Sequence, residues 1–155
     1  MKFQQQKASC GPAALAAALE MFGLIRTESE LRRLAGTDHE GTEWVGLVDA
    51  LEALREAPEG KDIIGVPFED SADVACMRLL RALRSGHPVV ACVSVDRPWD
   101  HYVAVVGTLG TEPNVKVLVF DPAGTEAVSA QDLDSFLLLW KGPPRERRQY
   151  AGIVV

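Results

Sequence analysis

Between residues 13 and 22 nearly every position is apolar, with Glu20 the one charged interruption. That is the pattern of a helix buried on all sides rather than along a stripe. Pro12 suits a first helical turn and Gly23 a C-terminal stop, so the helix is expected to begin at or just after Cys10. A second short helix is expected from the capping box Thr27-Glu28-Ser29-Glu30 to Gly36. A third follows Gly41-Thr42, where Val45, Val48, Leu51 and Leu54, with Leu47, recur at helical spacing to about residue 57. After a Pro58-Glu59-Gly60 turn, residues 63–66 read as a short strand. Val74, Met77, Leu79, Leu80 and Leu83 then mark a fourth helix closing at Ser85-Gly86.

From there the pattern changes. Residues 88–95, 102–109 and 116–120 are Val-rich and apolar almost throughout, which predicts strands of a sheet covered on both faces. A last helix, capped by Ser129, is expected through Leu133, Phe136, Leu137 and Trp140, and a final strand at 152–155. Helices first and sheet second predict an α+β fold, a helical lobe packed on a largely antiparallel sheet. With no repeat and no long linker, residues 1–155 are expected to form one domain, helical over about 10–57 and mainly sheet over about 62–155.

Charge narrows the function classes. With 16 Lys+Arg against 22 Asp+Glu the net charge is −6, and the Arg residues are spread over separate helices, which is poorly suited to nucleic acid. The longest apolar helical run is about half of the roughly 20 residues needed to span a bilayer. The N-terminus carries no apolar signal segment, so a cytoplasmic location is expected. The three cysteines, Cys10, Cys76 and Cys92, are an odd set without paired spacing, which argues against a disulfide framework and a Cys-rich zinc site. No metal or cofactor is expected.

Cys10 is the candidate nucleophile, because unpaired N–H groups and the helix dipole at a helix start favour a thiolate. Cys76 falls in an apolar helix and Cys92 in the middle of a strand, where both read as small core hydrophobes. If the strands flanking residues 110–114 form a hairpin, residues whose numbers sum to about 222 or 223 face one another, which sets His101 opposite Asp121. A carboxylate there accepts the imidazole N–H and fixes its tautomer. His39 and His87 sit in polar turns and read as solvated. A helix-start Cys, a strand-end His and a strand-end Asp make up a nucleophile, base and orienter for acyl chemistry.

These residues belong to motifs that resemble a known family. Gln4 followed by Cys10-Gly11-Pro12-Ala13-Ala14-Leu15, Gly41-Thr42 leading into Gly46-Leu47-Val48, Gly86-His87-Pro88-Val89-Val90, His101-Tyr102-Val103-Ala104-Val105-Val106-Gly107 and Asp121-Pro122-Ala123-Gly124 are similar, in this order, to motifs of one group of papain-like cysteine peptidases. That group removes double-glycine leader peptides from bacteriocin-type precursors, usually as the N-terminal domain of an export transporter. The resemblance implies a papain-like fold, with Cys10 as nucleophile, His101 as general base, Asp121 as orienter and Gln4 as oxyanion donor. Spacing alone does not choose among Gln4, Gln5 and Gln6. The implied substrate is a peptide or protein with Gly-Gly or Gly-Ala before the scissile bond. Thr42, Trp44, Trp99 and Asp100 are candidate walls of the narrow cleft that this requires. With no transporter expected after Val155, substrate is expected by diffusion or from a separate transporter or precursor partner. Two other readings use the same residues: a transpeptidase or deamidase passing the acyl group to another acceptor, and a binding module that holds glycine-rich segments without cutting them.

Overall fold

The computed structural model describes residues 1–55, 71–94, 101–140 and 150–155. The elements run α1 (Cys10–Glu20), α2 (Glu28–Leu34), α3 (Trp44–Arg55), α4 (Ala72–Arg84), β1 (Val89–Val93), β2 (His101–Leu109), β3 (Lys116–Phe120), β4 (Ser129–Asp132), α5 (Leu133–Trp140) and β5 (Gly152–Val154). The expected strand at 63–66 lies outside the described residues. The five strands form one sheet in the order β4-β3-β2-β1-β5, with every pair antiparallel.

Side chains alternate across this sheet into two cores. Val90, Tyr102, Ala104, Phe120 and Ile153 face α1, α2 and α3, whereas Val89, Ala91, Val103, Val105, Val117 and Val119 face α4 and α5. Both faces are covered, which is why the central strands are apolar at consecutive positions. α1 is the innermost helix: Gly11 to Leu15 and Ala17 to Leu19 are buried. The helix ends at Glu20, earlier than its apolar run, and Met21 beyond it is 48% exposed.

Small residues bring the helices together. A Cβ on Gly46 would stand 2.1 Å from the Ala35 carbonyl oxygen, so even alanine there would push α3 off the end of α2. The buried stripe of α3 is Trp44, Leu47, Ala50 and Leu51, while Val45 faces solvent; in α4 it is Ala75, Leu79 and Leu83, while Met77 faces solvent. Periodicity identified both helices but admitted one outward residue into each stripe.

Two expectations are corrected. Ser129 does not cap the last helix: Ser129–Asp132 is an edge strand paired with Lys116 to Val119, and the helix starts at Leu133. The free edge of β3 supplies the partner, so a polar Ser-Ala-Gln-Asp segment with little strand preference of its own is pulled into the sheet. The β2–β3 hairpin also has a different register. Val105 pairs with Val119 but Gly107 with Leu118, so an extra β2 residue bulges between them. Extended past Phe120, this register sets Asp121 diagonal to His101 on the same face rather than opposite it. Among the described residues no helix is long and apolar enough to cross a membrane.

Candidate active site

Cys10 is the first residue of α1, half-buried, at the point where the helix enters the core. Its neighbour Gly11 is packed so tightly that an added Cβ would stand 3.2 Å from Thr42 Cβ and 3.3 Å from both Leu47 methyls. This contact brings the 42–47 segment against the nucleophile's helix. His101 opens β2, close enough to Cys10 for its imidazole to lower the thiol's pKa.

Burial pushes the Cys10 thiol up, but the imidazole bond, the Tyr102 backbone, the charge of His101 and the Gly11 backbone outweigh it. The net result lies below the ordinary thiol range. For His101, burial pushes the imidazole down, whereas hydrogen bonds to Cys10 and Asp121 and their charges raise it above its ordinary value. Each shift favours the charged form of its group, the direction that promotes a thiolate beside an imidazolium.

Asp121 follows β3 directly. Its Oδ1 accepts from His101 Nε2 at 2.6 Å and from the Ala123 N–H at 2.8 Å, and its carbonyl accepts from the Gly124 N–H at 3.0 Å. The tight turn therefore holds the carboxylate while the imidazole spans the diagonal between the strands. An ionised carboxylate only accepts, so Nε2 carries the hydrogen and Nδ1 is left for the thiol's proton. The structure thus places His101 between the Cys10 thiol and the Asp121 carboxylate.

The N-terminal arm is held close to them. Phe3 stacks on Phe120 with ring centroids 5.8 Å apart, and the Gln4 N–H donates to the Pro122 carbonyl at 3.0 Å. The Gln4 side-chain amide donates to the Gln6 carbonyl at 2.6 Å. Gln5 and Gln6 are directed elsewhere, their backbone N–H groups donating to the Glu28 carboxylate at 2.7 and 3.0 Å. Of the three glutamines, only Gln4 is tied to the turn that holds Asp121.

Thr42 exchanges a 2.7 Å hydroxyl hydrogen bond with Thr37. Trp44, only 8% exposed, stacks on Tyr102 at 6.4 Å and forms part of the core. Trp99 and Asp100 lie outside the described residues. His87 is not a solvated loop residue: its Nδ1 is 3.1 Å from the Val155 carbonyl oxygen and its ring lies 5.7 Å from that of Phe22. The Tyr102 backbone at the thiol was missed from sequence, because it acts through a main-chain group that no side-chain pattern marks. Among the described residues no group of three or more His, Cys, Asp or Glu side chains is placed to hold a metal ion.

Cys76 provides an internal contrast. Burial pushes its thiol up, and the nearby charges of Asp134, Asp73 and Glu112 push it further. Iodoacetamide at neutral pH is therefore expected to alkylate Cys10 at least about tenfold faster than Cys76. On lowering the pH below neutrality, the Cys10 rate should fall less steeply than the Cys76 rate, which drops about tenfold per unit. Mass mapping of the labelled peptides checks this. Equal rates at the two thiols would contradict the ion pair.

Residues 1–142 match the model of the Peptidase_C39 like family. Over 139 residues the sequence is 28% identical to the lactococcin-A transport/processing ATP-binding protein LcnC of Lactococcus lactis subsp. lactis, covering 90% of this chain and 17% of that protein. It is 30% identical over 139 residues to the mesentericin-Y105 transport/processing ATP-binding protein MesD of Leuconostoc mesenteroides, with the same two coverages. The chain thus spans about a sixth of the length of these curated relatives. The fold is similar to the peptidase domain of Streptococcus ComA, a bi-functional ABC transporter involved in a quorum-sensing pathway. That match has a TM-score of 0.70 at 19% identity and covers 99% of this chain and 94% of that one. It is also similar to a double glycine motif protease from an AMS/PCAT transporter in complex with the leader peptide. There the TM-score is 0.62 at 14% identity, covering 99% and 86%.

Proposed function

The chain belongs to the Peptidase_C39 like family, and on that premise we propose that it is a cytoplasmic cysteine peptidase that cuts a peptide or protein after a Gly-Gly-type motif. The observation that carries the reading is the place of His101 beside the Cys10 thiol, whose pKa it lowers, with its Nε2 2.6 Å from Asp121 Oδ1. Sγ attacks the scissile carbonyl carbon, and the carbonyl oxygen takes the negative charge between the Cys10 backbone N–H and an amide N–H of Gln4. One hydrogen of that amide is bonded to Gln6, which orients the group and leaves the second for the oxyanion. The imidazolium protonates the leaving amine as the tetrahedral species collapses to a thioester. The neutral imidazole then takes a proton from water, which attacks the thioester and releases the acid and the thiolate.

The relatives named for transport and processing, and the leader-peptide complex, support a peptide substrate delivered by a precursor or a separate transporter. The double-glycine preference needs a cleft that excludes side chains. Thr42, packed against Gly11 beside the nucleophile, is proposed to supply part of its wall. Forcing a larger side chain into such a passage costs about 1–3 kcal/mol per misfit. Replacing either glycine of a Gly-Gly peptide by Leu is therefore expected to lower kcat/KM by about 10- to 200-fold. A chromogenic peptide series measures this, and equal rates for Gly and Leu would remove the double-glycine preference while leaving a general cysteine peptidase.

A further inference from the structure

Helix α2 lies outside the Cys10–His101–Asp121 series, yet its polar face is turned on the chain that leads into it. Glu28 accepts the N–H groups of Gln5 and Gln6, at 2.7 and 3.0 Å. One turn along the same helix, Arg32 Nη1 donates to the Lys7 carbonyl at 3.2 Å and to Ser9 Oγ at 2.9 Å. Between those two acceptors Ala8 has φ +57°, in the left-handed region that a residue with a Cβ adopts only when its surroundings hold it there. Ser9 is fully buried and is the N-cap of α1, but its hydroxyl makes no capping bond; it is used by Arg32.

The two contacts divide one task. Glu28 fixes the Gln6 backbone, whose carbonyl in turn holds the Gln4 amide. Arg32 grips both sides of the turn at Ala8, and so sets the distance from that fixed arm to the Cys10 backbone. We infer that Arg32, assisted by Glu28, is a positioning residue of the oxyanion site, holding the Gln4 amide and the Cys10 N–H at a common separation. The inference rests on the peptidase reading above, and it assigns to α2 a role in rate rather than in substrate binding. An interaction made only when charge develops on the oxygen appears in kcat and leaves KM alone.

The test uses Arg32→Met, Arg32→Lys and Glu28→Gln, each in the wild-type and the Gln4→Ala background, with a peptidyl-Gly-Gly aminomethylcoumarin substrate and iodoacetamide as a second probe. Alkylation displaces iodide at an sp3 carbon and forms no oxyanion, so it reports the thiolate without the site that Arg32 is proposed to build. Arg32→Met should lower kcat about 10- to 100-fold with KM within about threefold, and leave the Cys10 alkylation rate within about twofold. Arg32→Lys, which carries one donor group instead of a fork, should fall between it and wild type; Glu28→Gln should lower kcat in the same direction. In the Gln4→Ala background Arg32→Met should cost less than about threefold more, because the amide it positions is gone. An unchanged kcat, full multiplicative loss with Gln4→Ala, or alkylation falling in step with kcat would each overturn the inference, and if Arg32→Met fails to fold the same criteria apply to Arg32→Lys. Wild-type protein that cuts no such peptide refutes the peptidase reading itself; wild-type cleavage with unaffected variants refutes only the clamp.

Discussion

Cys10→Ala is expected to remove peptide cleavage, lowering kcat by a factor on the order of 10⁴ or more, because no attacking atom remains while the rest of the site stays in place. Stability should change little. The side chain is small, half-buried and at the first residue of α1, and Pro12, Ala13, Ala14 and Leu15 behind it still fill the core. The same change at Cys76 should leave cleavage intact, because that residue lies on α4, on the opposite face of the sheet from α1. Cleavage assays run beside thermal melts separate the outcomes. Residual cleavage by Cys10→Ala near the wild-type rate would sink the assignment, whereas a melting point lowered by many degrees would mean that folding, not chemistry, had been lost.

Much of this arrangement can be read from the chain because local rules and tertiary packing agree there. The all-apolar helix behind Cys10, the double-sided strands and the α+β order follow from period and burial alone. The hairpin pattern predicts the pairing of His101 with Asp121, although the observed register differs from the predicted one. The bulge at Val105/Gly107 changes which residues stand opposite: Ala104 pairs with Phe120, and the same register carried on sets Asp121 beside Val103, two residues from His101 and still within hydrogen-bond reach of its imidazole.

What stayed hidden is what only the assembled protein creates. Ser129–Asp132 becomes a strand because β3 offers it an edge, and His87 finds the Val155 carbonyl across 68 positions of sequence. Glu28 and Arg32 look, in a seven-residue helix, like ordinary members of a charged solvent face; their backbone partners lie 22 to 25 residues earlier and carry no sequence signature. Gln4 is distinguished from Gln5 and Gln6 by the same three-dimensional accident, its contact with Pro122.

The second large effect concerns the base and its orienter. His101→Ala removes the group that holds the thiolate, protonates the leaving amine and activates water, so a loss of about 10³-fold or more in kcat/KM is expected. Asp121→Asn should cost less, about 10- to 100-fold, for a reason specific to this turn. Both hydrogen bonds of the carboxylate converge on Oδ1, from His101 Nε2 and from the Ala123 N–H. In asparagine the backbone donor selects the amide oxygen for that place, so the imidazole keeps its acceptor and its tautomer, and the NH₂ group takes the other position on a side chain that is 43% exposed. What is lost is the negative charge, one of the influences that raise the His101 imidazole, the hydrogen bond with Cys10 being the larger. With that influence weakened, imidazolium deprotonates at lower pH, so the alkaline limb of kcat/KM should move down while the acid limb, set by Cys10, moves little. Asp121→Ala lacks any acceptor and should fall towards His101→Ala. Full activity in Asp121→Asn with an unmoved alkaline limb would separate Asp121 from catalysis, and a loss equal to that of His101→Ala would show that the amide had turned its NH₂ to the ring.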